Sequence, residues 1–160
     1  MVNVLILDVD YRRTGTCSIG SDEQIEKLFG YKPLHIKSSG AVKKLLDERF
    51  KLNLSEDEFG NFYYEVSGEY KNLDFIVVDS ITGLQGFEKS DIRGQRELFT
   101  LQDWGKLSER MHDFLIKLAC CDKNVIFICH TKKLLENELG RISEVPALSG
   151  QTGDNIGRYL

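Results

Sequence analysis

The chain has little proline, two residues in 160, and no proline-rich, repeated or low-complexity stretch. Nothing in it therefore marks a linker, and its length suits one domain with its own core. It also lacks a basic excess. Lys plus Arg number 21 against 25 Asp plus Glu, a net charge of −4. That excludes a chain-wide basic footprint for nucleic acid and leaves room only for a local basic loop. No run approaches the roughly 20 apolar residues of a membrane helix. The opening "MVNVLILDVD" has neither the basic start nor the cleavage site of a signal peptide, and its short apolar run meets an acid at Asp8. The four cysteines, Cys17, Cys120, Cys121 and Cys129, contain no C-x-x-C. A disulfide framework or zinc site is not expected, and reduced thiols are. Together these absences predict a soluble cytoplasmic protein with no membrane partner.

What the chain does contain is alternation. Apolar residues make up 41% and charged residues 29%, the ordinary balance of a globular protein. "VNVLILD", "LDFIVVD" and "NVIFICH" are near-continuous apolar runs, the pattern of strands buried on both faces. "PLHIK" is a shorter strand candidate, and "NFYYEV" an edge strand or hairpin arm. Ser21–Gln24 reads S-x-x-Q, a capping box opening a short helix to about Phe29. "SGAVKKLLDERF" has helical spacing at Val42, Leu45, Leu46 and Phe50. Thr100 opens a T-x-x-D box with Asp103, and Trp104, Leu107, Met111, Phe114 and Leu118 form one apolar stripe beyond it. Residues 83–99, with Gly83, Gly86, Gly94 and many charges, read as a long loop. The glycine-rich end "LGRISEVPALSGQTGDNIGRYL" reads as mostly loop with a short helix near its close.

Such an order predicts an α/β fold, a mostly parallel sheet with helices on both faces. Ligands of these sheets bind outside the carboxyl ends of the strands. There the sequence places Asp8 and Asp10, Asp79 and Ser80, and His130 and Thr131. Asp79 is a hard oxygen ligand able to hold Mg²⁺ directly or through water. Asp10 can orient or deprotonate a water as general base. His130 can donate to a phosphate oxygen and sense its presence. Each also has a plainer role, a loop cap for the acids and a structural hydrogen bond for the histidine. The three together carry more weight than any one.

These residues also resemble a known family. "FIVVDSITGL" resembles the Walker B strand of RecA-like P-loop ATPases, four apolar residues and then Asp-Ser. "VLILDVDYRRTG" resembles the strand after the phosphate-loop helix, with Asp10 where the family keeps its catalytic carboxylate. "NVIFICHTKK" resembles the next strand, whose terminal polar residue, here His130, contacts the γ-phosphate. With "QDWGKLSERMHDFLIKL" between them, the set looks most like compact bacteriophage ATPases of single-strand annealing and recombination. The resemblance spans roughly residues 2–160, most firmly 73–133. It implies ATP and Mg²⁺ as cofactors, with nucleotide contacts at Asp79, Ser80, Lys132 and Lys133. It also implies single-stranded DNA as partner, a homo-oligomeric ring or filament, and the bacterial host's cytoplasm for a phage protein.

The family's phosphate loop, G-x-x-x-x-G-K-[ST], has no counterpart in the chain. That loop supplies the N–H cradle and the lysine for the phosphates. The expectation is one RecA-like core over 1–160 without its amino-terminal phosphate-loop unit and its last strands: a split frame, a fragment or a derivative. It binds ATP weakly alone and depends on a segment that bears the loop. An open sheet edge or gap is expected beside the Walker B-like strand. The family binds DNA through loops that correspond here to about 85–98 and 134–152, with Lys89, Arg93, Arg96 and Arg141 as cations and Phe87 or Phe99 as a base platform. Tyr11, Arg12 and Arg13 fit beside the base, at a neighbouring subunit or in a surface turn. Two alternatives stand beside this reading. One is a non-catalytic RecA-like module that binds DNA or a partner without regard to ATP. The other is a haloacid-dehalogenase-like phosphatase using Asp8 and Asp10 of "DVDYRRTG".

Overall fold

The structure, a computed structural model, describes residues 2–9, 20–136 and 141–159. In chain order these form β1 (Val4–Asp8), α1 (Asp22–Phe29), β2 (Leu34–His35), α2 (Ser39–Lys44), β3 (Asn53–Glu56), β4 (Phe62–Glu65) and β5 (Phe75–Asp79). Then follow α3 (Ile81–Arg93), α4 (Leu101–Ala119), β6 (Asn124–Ile128), β7 (Thr131–Glu136), β8 (Arg141–Pro146) and α5 (Gln151–Asn155). A π turn over Leu45–Arg49 extends α2, and a 3-10 turn over Ile156–Arg158 extends α5.

The apolar runs form one parallel sheet in the order β2-β1-β5-β6. Its register sets Ile6 beside Val77 beside Ile126, and Leu7 beside Val78 beside Phe127. Side chains alternate along a strand, so these two rows lie on opposite faces. The Leu5, Leu7, Ile76 and Val78 face is buried in one cluster with Leu84 of α3, Leu107, Met111, Leu115 and Leu118 of α4, and Val42 of α2. Each such side chain contributes about 1.5–3 kcal/mol on leaving water, so this layer carries most of the stability. On the other face α1 reaches the sheet through Asp22, which bonds His35 of β2. That face is closed over β1, where Ile6 is 6% exposed, and open at β6, where Ile126 and Ile128 are 47% and 40% exposed.

The helix ends follow their local chemistry. Both capping boxes form: the Ser21 hydroxyl accepts from Gln24 N–H while Gln24 Oε1 accepts from Ser21 N–H at 2.8 Å. Thr100 and Asp103 do the same at the start of α4. Gly30 ends α1 with φ of 83°, a left-handed cap that suits glycine. "NFYYEV" pairs as the second arm of the antiparallel β3–β4 hairpin.

Four expectations are corrected. Residues 81–93 are helix rather than loop, because Ser80 caps them and Ile81 and Leu84 bury one stripe, overriding the low propensity of Gly83 and Gly86. Only 94–100 remains as connection between α3 and α4. The carboxyl-terminal region is not mostly loop: Thr131–Glu136 and Arg141–Pro146 pair as the β7–β8 hairpin, and α5 follows. Lys132 and Lys133 accordingly lie on a strand rather than in a first helical turn. The Walker B-like β5 is paired on both sides, and among the described residues the outer side of β6, one strand beyond it, has no partner strand.

Candidate nucleotide site at the strand ends

The parallel register brings the strand ends to one level: Asp8 stands beside Asp79, and Asp79 beside Ile128, two residues before His130. Val9 N–H donates to the Asp79 carbonyl at 2.6 Å, and Ile36 N–H to the Asp8 carbonyl at 2.8 Å. The ladder thus continues past the last apolar residue and holds these ends in place. Asp79 is half-buried and is followed at once by α3. The helix therefore presents its amino end, with a partial positive charge, behind the carboxylate.

Ser80 is fully buried, and its hydroxyl accepts from Gly83 N–H at 3.1 Å as the helix cap. Its burial and this bond give it a structural role as the cap of α3. Gly83 fits against β1 so closely that a Cβ there would come within 2.2 Å of the Val9 carbonyl oxygen. Thr82 joins the other neighbour: its hydroxyl accepts from His130 N–H at 3.1 Å and lies 3.3 Å from Cys129 Sγ. His130 itself is exposed at the carboxyl end of β6, its carbonyl accepting from Ala147 N–H at 2.7 Å. Thr82 was not legible as a site residue in the sequence. Its signal is the Ser80 cap, which makes 82 the second residue of a helix instead of a loop.

A second unanticipated arrangement lies beside this site. His35 Nδ1 is 2.8 Å from Asp8 Oδ2, and its Nε2 lies 3.1 Å and 3.2 Å from the two Asp22 oxygens. The Asp8 side chain is 2% exposed and Asp22 44%. The imidazole thus bridges a buried strand-end acid to an exposed acid on α1. The phosphatase alternative needed Asp8 as a reachable nucleophile. Burial and the His35 contact oppose that use.

Asp10, Tyr11, Arg12, Arg13 and Cys17 lie outside the described residues. Cys120, Cys121 and Cys129 are free thiols, and burial pushes the Cys121 thiol above its ordinary value. Among the expected DNA cations, Lys89 donates to Ser149 Oγ at 2.8 Å and sits 4.9 Å from the Trp104 ring centroid. Burial, then the Lys132 charge, pull its ammonium below the usual lysine range. Arg96 donates to the Ile92 and Arg93 carbonyls and to Asp103, holding that carboxyl far below its ordinary value. Lys89 is thus half-buried and held by the fold, whereas Arg96 keeps half its side chain in solvent and Arg93 is exposed. Arg141 opens β8. Lys132 donates to the Leu148 carbonyl at 3.4 Å, and Lys133 is exposed.

Among the described residues no three His, Cys, Asp or Glu side chains converge to hold a metal ion. A nucleotide-bound Mg²⁺ needs only one or two carboxylates besides the substrate phosphates, so Asp79 alone fits that donor set. A cavity of about 610 Å³ lies elsewhere, between α2 and the α3–α4 pair.

A parallel sheet flanked by helices, with an Asp-Ser ending its central strand and a helix starting there, defines a P-loop NTPase-like core. The AAA domain family matches residues 14–156, and the chain belongs to that family, whose members are nucleotide-binding and ATPase-like. A comparison with curated proteins finds no match. Among the described residues no helix is long and apolar enough to cross a membrane.

Proposed function

We propose that the carboxyl ends of β1, β5 and β6 hold Mg-ATP, and that the phosphate cradle is supplied by a strand and helix seated against β6. The observation that carries this is the half-covered sheet. α1 closes one end of its second face, while Ile126 and Ile128 at the other end stay exposed beside an unpaired strand edge. An apolar sheet face and a free edge are what a further strand and helix bury. In this reading Asp79 would hold Mg²⁺, which would offset charge on the phosphates, Asp10 would orient the attacking water, and His130 would donate to the γ-phosphate oxygens. Lys133, exposed on β7, faces a neighbouring subunit's nucleotide in a ring or filament, while Lys132, on the opposite face of the strand, stays with the Leu148 carbonyl.

The wider role is DNA recombination or single-strand annealing of the bacteriophage type, with single-stranded DNA bound by Arg93 and the β7–β8 hairpin. The ordered resemblance of three strands and one helix supports it. The alternative of a non-catalytic module draws on Ser80, which is buried and caps α3. It predicts oligonucleotide binding unaffected by Mg-ATP.

The test is titration calorimetry with Mg-ATP on the chain alone, on the chain fused to a strand–phosphate-loop–helix unit, and on that fusion with Asp79→Ala. The expected result is weak or no binding alone, binding in the fusion, and its loss in the variant. A fusion that does not bind, or that binds equally well with Asp79→Ala, refutes the proposal.

A further inference from the structure

We propose that a pocket between α4 and the α5 segment binds an oxyanion, the phosphate or carboxylate of a small organic molecule. The cavity measures about 340 Å³, and its polar wall is formed by Ser108, His112, Thr152, Asn155, Arg158 and Tyr159. Leu115 and Ile116 form its apolar floor. Among the described residues no carboxylate lines it, in a chain where acids outnumber bases 25 to 21. The acids adjacent in sequence, Glu109, Asp113 and Asp154, are not part of the wall. A guanidinium, an imidazole, a phenol, two hydroxyls and the two amides of Gln151 and Asn155 face one space. Among the described residues Arg158 makes none of the ion pairs that hold Arg49, Arg96 and Arg110. Its planar fork of donors suits the paired oxygens of a phosphate or carboxylate.

The wall is organised before any ligand arrives. His112 Nδ1 lies 2.5 Å from Tyr159 Oη, with the rings 5.6 Å apart at 59°. Ser108 Oγ donates to Gln151 Oε1 at 3.3 Å. Both bonds tie the third and fourth turns of α4 to the α5 segment; the Ser108 O–H is spent on Gln151, which leaves the Arg158 guanidinium and the Gln151 and Asn155 amide N–H groups to meet an anion. Small-molecule sites run from about 300 to 1,000 Å³ with a few convergent polar groups on an apolar base. At 340 Å³ the pocket selects a ligand of few atoms rather than a polymer. It shares no residue with the strand-end site, so the inference stands whether or not that site binds ATP.

The test follows the His112 ring signals by NMR while sodium phosphate, sodium acetate or sodium chloride is added at matched ionic strength. A saturable shift with phosphate or acetate at millimolar concentration, and none with chloride, is expected; the stronger anion identifies the oxyanion class. Arg158→Gln weakens it at least tenfold and Asn155→Ala severalfold, whereas Lys27→Gln, on the exposed side of α1 and outside the pocket, leaves it unchanged. Arg158 is exposed, so its replacement leaves folding intact, and Tyr159→Phe provides a second variant with the same expected loss. No saturable shift, a shift equal in chloride, or one undiminished in Arg158→Gln and Tyr159→Phe overturns the proposal.

Discussion

Replacing Gly83 and Gly86 of α3 by alanine, one at a time, is expected to change stability in opposite directions. In an ordinary helix interior alanine is favoured over glycine by about 1 kcal/mol, because glycine loses more backbone freedom. Gly86 is exposed, and a Cβ there meets nothing within 4 Å, so Gly86→Ala gains about 0.5–1 kcal/mol. At Gly83 the same methyl lands 2.2 Å from the Val9 carbonyl oxygen and 3.1 Å from its carbon. The obstacle is backbone at the end of β1, which no rotamer change relieves. α3 must withdraw from the sheet at the point where Ser80 and Thr82 anchor it. Overpacking of this kind costs about 1–3 kcal/mol, enough to overturn the helix gain. The helix gain is common to both, so the two variants lie about 1–3 kcal/mol apart, and each kcal/mol moves the melting temperature by roughly 2–4 °C in a chain of this size. Urea unfolding followed by circular dichroism reads the difference. A Gly83→Ala protein as stable as the wild type, or more so, refutes the close packing of α3 on β1.

Three further substitutions test separate parts of the fold. Ile126→Ser with Ile128→Ser leaves monomer stability within about 1 kcal/mol, because both residues are already largely exposed, whereas Ile76→Ala, fully buried, costs about 2–5 kcal/mol; chemical denaturation compares them. His35→Ala strips the buried Asp8 of a partner and frees Asp22, a loss of about 1–3 kcal/mol, with the α1 amides gaining hydrogen-exchange rate before the α4 amides. The depressed Asp103 carboxyl gives stability that is present above its unfolded value of 3.8 and lost as pH falls below it through the folded value. Asp103→Asn therefore loses less stability between pH 5 and 2 than the wild type, read as melting temperature against pH.

The sheet was legible because its strands are buried on one or both faces and so write long apolar runs, each ending in a polar residue. Both capping boxes were legible for a similar reason, since their partners are three residues apart. Helix α3 was not. Gly83 and Gly86 speak locally for a loop, and the compensating contacts, Gly83 against Val9 and Gln85 against Ser149, join residues more than 60 apart. The β7–β8 hairpin was missed because its alternation is interrupted by lysines on exposed positions. At the site, Asp79 and His130 were visible as strand-end residues. The His35 bridge and the Thr82 contact depend on register between parallel strands and on a cap geometry, neither of which neighbouring residues encode. The bonds that Lys89 and Arg96 make within the fold were not legible either, because charge in a sequence does not show which carbonyl or ring lies beside it.

Hydrogen exchange along β6 tests the central claim most directly. Its amides are to be followed residue by residue, in the chain alone and after fusion to a strand–phosphate-loop–helix unit. The account predicts that the β6 amides not bonded to β5 exchange rapidly in the chain alone and become strongly protected in the fusion, with Mg-ATP protecting them further. Outer-edge amides that are already protected in the chain alone, or that stay unprotected in the fusion, would contradict the claim that this edge of the sheet receives the phosphate-loop strand.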